Sequence, residues 1–127
     1  MFAGKQPTTL GVRDGRLAPC PATPNCVCSQ DSDPGHSIEP LKLSSPDSAI
    51  ADLKRIIQAL PKTKIVEESN DYLYAQFTSK LMGYVDDVEF YVDRAANVIH
   101  VRSASRLGKS DLGVNRKRIE LIRTQLA

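Results

Sequence analysis

The alternation of apolar and polar residues between Tyr72 and Ser105 limits the possible folds of this chain more than any other feature. In YLYAQFTS (72–79), Leu73, Ala75 and Phe77 fall on one side; in VDDVEFYV (85–92), Val88, Phe90 and Val92 do; in VIHVRS (98–103), Ile99, Val101 and Ser103 do. A period of two sends successive side chains to opposite faces of an extended strand, so each run has one side made for a core. With the short run at 65–68 and a turn at Asn70 and Asp71, residues 64–105 read as a four-stranded antiparallel meander. Matching the apolar sides pairs Val92 with Ile99, Phe90 with Val101 and Val88 with Ser103, because a one-residue slip would expose the core. Glu89 is then expected opposite Arg102 and Tyr91 opposite His100, on an outer face that also carries Tyr72, Tyr74, Gln76 and Thr78. That face is either a ligand platform or the surface on which the N-terminal segment packs. The Glu89–Arg102 pair is expected to be exposed and to contribute under ~1 kcal/mol.

Two helical patterns flank the meander. Before it, Ser45 is a suitable N-cap, Pro46 suits the first helical position, and Asp47 faces the positive end of the helix dipole. Ala49, Leu53, Ile56, Ile57 and Leu60 recur at three- and four-residue spacing until Pro61, which predicts a buried-stripe helix over 46–60. After the meander, Ser110 or Asp111 can cap a helix over 112–125, with Asn115, Ile119, Ile122 and Leu126 inward and Glu120 paired with Arg116 or Arg123. IEPLKL (38–43) reads as a short edge strand, since Pro40 excludes a central one. The expected fold is α+β: an antiparallel sheet of four or five strands with two helices on one face, in the order β-α-β-β-β-β-α. Residues 1–45, rich in proline and cysteine, are expected to be an extended segment packed on an α+β domain of residues 46–127, as a single domain overall.

At 127 residues the chain can bury one modest core. Its 41% hydrophobic and 25% charged residues place it among globular chains, and a net charge of +2 is too small to argue for nucleic acid. Charge is unevenly spread: residues 67–93 hold seven acids and one lysine, while the C-terminal third holds the excess cations. No run approaches the ~18 apolar residues that a bilayer requires, and MFAGKQPTTLGV lacks the apolar core of a signal peptide. As written the chain is expected to be soluble and cytoplasmic, or exported or lumenal if it has been trimmed.

All three cysteines lie in LAPCPATPNCVCSQ. Cys20 and Cys26 enclose a proline-stiffened loop short enough for a disulfide; Cys28 is left over, or is a rival partner for either. Reduced thiols compete with the bridge in a cytosolic chain. Zinc is disfavoured, because CxxxxxCxC with His36 is not a zinc-knuckle spacing.

Polar chemistry concentrates in VRSASRLGKSDLGVNRKRIELIR (101–123). Between Arg102 and Arg118, the cations Arg102, Arg106, Lys109, Arg116, Lys117 and Arg118 face a single acid, Asp111, with Ser103, Ser105 and Asn115 interleaved. The strand register brings Asp86 and Ser105 to the same end of the sheet. Asp86, Arg102, Ser103, Ser105, Arg106, Lys109, Asp111, Asn115 and Arg116 are therefore the candidate ligand-binding residues. One reading is a buried clasp, in which Asp86 or Asp87 takes two hydrogen bonds from a loop arginine. The other is an anion seat made of free N–H groups at the helix start with Arg106, Lys109 and Arg116. Enzymatic chemistry finds little footing. Neither His36 nor His100 stands beside a nucleophile, GKS at 108–110 lacks the glycine a phosphate loop needs five residues earlier, and adjacent Asp86 and Asp87 point to opposite faces.

LAPCPATPNCVCSQ, YVDDVEF and VRSASRLGKSDLGVNRKRIE together resemble the bacterial and plastid family catalogued as domain of unknown function 1499. The resemblance runs from about Gly4 to the C-terminus, and RSxSRxGxxDxGxNRxRIE is its hallmark, carried here by Arg102, Ser103, Ser105, Arg106, Gly108, Asp111, Gly113, Asn115, Arg116, Arg118 and Glu120. It implies a Cys20–Cys26 pair, with Cys28 departing from the serine usual at its place, and it supplies no activity or catalytic residues. The expected function is a non-enzymatic accessory or binding module, without a cofactor, that recognises a small anion or a protein partner through residues 102–118. The alternative is a small metal-dependent or hydrolase-like enzyme using Asp86, Asp111 and Ser105.

Overall fold

A computed structural model describes residues 4–79, 83–107 and 113–126. The elements run β1 (Cys26–Cys28), β2 (Leu41–Lys42), α1 (Ala49–Gln58), β3 (Thr63–Glu68), β4 (Tyr72–Thr78), β5 (Val85–Asp93), β6 (Val98–Ser105) and α2 (Val114–Leu126). The four-strand meander forms as its alternation requires, and β6 takes both β1 and β2 on its free side. The result is a six-stranded antiparallel sheet ordered β1-β6-β5-β4-β3, with β2 beside the other half of β6. The strand count is thus one above the upper expectation, because CVC, too short and too proline-framed to stand out, adds an edge strand.

The register agrees with the apolar matching at every expected pair: Val92 faces Ile99, Phe90 faces Val101, Val88 faces Ser103 and Glu89 faces Arg102. Both helices pack on the inward face, where Leu53, Ile57, Ile119 and Ile122 close over Leu73, Val88, Phe90 and Val101 in one core. The first helix starts later than expected. Its N-cap is Ser48, not Ser45, and residues 46–48 form a turn in which the Ser48 amide donates to the Ser45 carbonyl at 3.3 Å. Ser48 Oγ bonds Asp52 Oδ2 at 3.2 Å instead of a helix amide. The helix also ends earlier, at Gln58, ahead of Leu60.

The outer face of the sheet is not a platform open to solvent. Leu17, Cys28, Tyr72 and Tyr74 form a second buried cluster there, with Leu10, Val12, Cys20 and Tyr91 packed against it. The N-terminal segment therefore lies as a strap across the tyrosine-lined side. Gly11 holds φ +102° while its amide donates to Glu89 Oε2 at 2.7 Å. Gly4, at φ +75°, accepts from Arg106 at 3.3 Å, and a Cβ there would come within 3.1 Å of Arg106 Cβ. Both positions need a residue that tolerates left-handed backbone, and Gly4 also needs one that tolerates close approach.

Candidate functional site

The C-terminal constellation divides between the two faces of the sheet. On the helix side, β6 presents Ser103 and Ser105, β5 presents Asp86, and the first turn of α2 presents Asn115 and Arg118. Asn115 is wholly buried. Its Oδ1 accepts from Ser103 Oγ at 2.7 Å and from Arg118 at 2.8 Å, while its Nδ2 donates to the Asn25 carbonyl at 3.0 Å and to Ser105 Oγ at 2.9 Å. Two donors and two lone pairs are the capacity of an amide, so the side chain is saturated. Its orientation is unambiguous: Arg118 can only donate and the Asn25 carbonyl can only accept. Arg118 in turn pairs with Asp86 at 2.8 Å and lies 4.8 Å above the Phe77 ring. The arrangement pins the start of α2 to the end of β6 through three strands' worth of side chains.

On the strap side, Arg106 continues the outward alternation of Arg102 and Ala104 past the end of β6. Of the two acids expected to take a loop arginine it grips Asp87, with Nε and Nη2 each 2.9 Å from a carboxylate oxygen. Tyr74 also donates to Asp87, reaching diagonally from the neighbouring strand. Asp87 is 1% exposed, and this pairing holds the Arg106 guanidinium more firmly protonated than usual. One rung along, Glu89 accepts from Tyr72 Oη at 2.5 Å and from Gly11 N, and Arg102 approaches it at 4.0 Å. Glu89 is 0% and Arg102 6% exposed, so the expectation of an exposed pair fails: the strap that covers them has no periodicity to announce it. Burial pushes the Glu89 carboxyl above its ordinary range, against the opposing pull of Tyr72, Gly11 and Arg102. Burial and Glu89 together likewise push the Tyr72 phenol up.

Of the sequence-chosen residues, Asp86, Ser103, Ser105 and Asn115 come together, while Arg102 and Arg106 lie across the sheet from them, each beside its own acid. Lys109 and Asp111 fall outside the described residues. Arg116 stands on α2 and, with Lys117, makes no carboxylate pair among the described residues. Glu120 pairs with Arg123 at 2.8 Å. Sequence reasoning missed Asn25, whose side chain reaches the Leu107 carbonyl at 3.3 Å and whose carbonyl also accepts from Ser105 N at 3.0 Å. It also missed Tyr72 and Tyr74 as partners of the acids, although the register alone places them one diagonal step away.

Arg106→Lys is expected to cost roughly 1–3 kcal/mol, because an ammonium loses the planar fork that fills both Asp87 oxygens. Urea unfolding measures it, and an unchanged midpoint would remove Arg106 from the clasp.

The cysteine segment resolves the alternatives left open by spacing. Cys20 and Cys26 are joined, their Sγ atoms 2.06 Å apart, and Cys28 is a buried free thiol. His36 is engaged with Asp33 at 2.5 Å and the Thr23 carbonyl at 2.7 Å. Among the described residues no cluster of three His, Cys, Asp or Glu side chains forms a metal site, and no helix is long and apolar enough to cross a membrane.

No curated protein matches the chain. The hallmark run at 102–120, the cysteine pair and the meander between them are covered by one family model, matching residues 16–126, and the chain belongs to the family described as Protein of unknown function (DUF1499).

Proposed function

We propose that this chain is a small binding module that recognises an acidic patch or bound anionic group of a partner protein through residues 107–117. The observation that carries the reading is how the cations of the C-terminal run are allotted. Arg102, Arg106 and Arg118 are each committed to a carboxylate within the fold. Arg116 and Lys117, on the first turns of α2, pair with no carboxylate among the described residues, and Lys109 adds a third cation in the connecting segment. The clasps hold both ends of that segment: Arg106 fixes its start, and Asn115 with Arg118 its end. Three of the large apolar side chains that remain exposed, Tyr84, Leu107 and Val114, stand at this same end of the sheet. Apolar contact area rimmed by cations is the usual make-up of a protein-docking surface. An enzyme using Asp86, Asp111 and Ser105 draws less support, since Asp86 is neutralised by Arg118 and Ser105 Oγ is occupied by Asn115.

The test compares two charge reversals of equal size. Lys109→Glu, Arg116→Glu and Lys117→Glu together are expected to elute from an immobilised phosphate matrix at lower salt than a control carrying Arg13→Glu, Lys42→Glu and Lys64→Glu, with the melting temperature unchanged. Equal elution of the two variants would show that retention reflects net charge alone, and would sink the reading.

A further inference from the structure

Three sulfurs lie on one face of β1, and the third has no part in the clasps. Val27 points into the helix-side core, so its neighbours Cys26 and Cys28 both point to the strap side, about 6.6 Å apart along the strand. Cys26 is bonded to Cys20. The strap brings Cys20 back over the same ground: Ala18 O lies 3.9 Å from Cys28 Sγ, and Cys20 packs against the cluster that contains Cys28. Between Pro19 and Cys28 the structure leaves a cavity of about 210 Å³, lined also by Arg16, Leu17, Gln30 and Asp31. A cavity there gives the backbone next to Cys20 room to shift. Arg102, the ladder partner of Cys28 across the β1–β6 pairing, places a buried guanidinium whose Nε has no hydrogen-bond partner on the same side.

We infer that Cys28 is an internal exchange thiol, and that the Cys20–Cys26 disulfide can migrate to Cys20–Cys28. The step is redox-neutral and needs no co-reactant. Cys28 gives up its proton, and its thiolate attacks Cys20 Sγ. The Cys20–Cys28 bond forms as the Cys20–Cys26 bond breaks, and Cys26 leaves as a thiolate that takes up a proton. A bond between Cys26 and Cys28 is not the product, because two residues on one extended strand hold their Cβ atoms too far apart. Migration moves the strap's tether from one end of β1 to the other. Burial raises the Cys28 thiol above its ordinary value while the Arg102 charge opposes that rise, so the exchange is slow at neutral pH and accelerates in alkali.

The experiment incubates the folded, unreduced chain at a series of pH values up to 9, quenches with acid, digests with pepsin under acid and maps the disulfides by mass spectrometry. The count of free thiols should stay at one throughout. Its position should pass in part from Cys28 to Cys26, at a rate rising about tenfold per pH unit below the thiol's pKa. Cys28→Ser should hold the Cys20–Cys26 bond at every pH, and a wild-type rate that does not change with protein concentration excludes exchange between molecules. In a parallel sample, Cys26→Ser with oxidised glutathione should close Cys20–Cys28 with the circular dichroism unchanged. Recovery of Cys20–Cys26 alone from the wild-type chain at every pH, with the fold intact, overturns the inference whatever the variants do.

Discussion

Asn115→Ala is expected to lower the unfolding free energy by about 2–4 kcal/mol. The side chain is fully buried and joins four partners drawn from β6, α2 and the segment before β1. Some of those partners keep alternatives: Arg118 still has Ser103 Oγ and Asp86, and the Asn25 carbonyl still receives the Ser105 amide. The Ser103 hydroxyl proton, at 0% exposure, does not. An orphaned buried donor together with the small cavity left by the amide sets the magnitude. Asn115→Asp is the sharper variant, because it keeps the shape while setting an acceptor oxygen against the Asn25 carbonyl and removing the amide donor from Ser105 Oγ. It should be as damaging as alanine. Urea midpoints read both, and an aspartate variant as stable as the wild type would show that the Nδ2 contacts contribute nothing. Hydrogen exchange should rise first at 113–118, where α2 loses its tie to the sheet.

The inward side of this protein was legible because period-two patterning carries its own check. Once Phe90 faces Val101, the positions of Val88, Ser103 and Glu89 follow without further information. The same alternation, continued one residue past β6, would have sent Arg106 outward to Asp87. Treating residue 106 as loop broke the count and left the choice between Asp86 and Asp87 open. The outer side was illegible for a different reason. Tyr72, Tyr74, Asp87 and Glu89 read as an exposed polar face because the strap that buries them is held by single residues, Leu10, Val12 and Leu17, and by backbone groups such as Gly11 N, none of which recurs at a helical or strand spacing. Asn25 escaped notice on the same account: a lone polar residue in a proline-rich stretch carries no sign that its carbonyl will anchor another element 90 positions away. At α1, propensity favoured Ser45 because proline follows it, whereas the helix starts after Ser48.

Arg102→Met is expected to cost roughly 3–5 kcal/mol at pH 8, and to cost much less at pH 4. Methionine approximates the aliphatic stem of arginine, so the loss is mainly that of the charge facing Glu89 and of the bond from Nη2 to the Pro19 carbonyl at 3.3 Å. Glu89 is then a buried carboxylate supported, among the described residues, by Tyr72 and the Gly11 amide. Its folded-state pKa is already raised by burial, and without Arg102 it must rise further. A carboxyl whose folded pKa exceeds its unfolded value of 4.5 binds its proton more tightly in the fold. The stability that it contributes is therefore present below that pH and is lost as pH rises through the folded value. The gap between wild type and Arg102→Met should accordingly open with pH across 4–8 in urea unfolding. Adding Glu89→Gln to Arg102→Met removes the ionisable group, and should both recover much of the loss and flatten its pH dependence. A deficit of equal size at pH 4 and pH 8 would assign the cost to packing and the Pro19 bond, and would remove electrostatic pairing as the reason that an arginine and a glutamate lie buried beneath the strap.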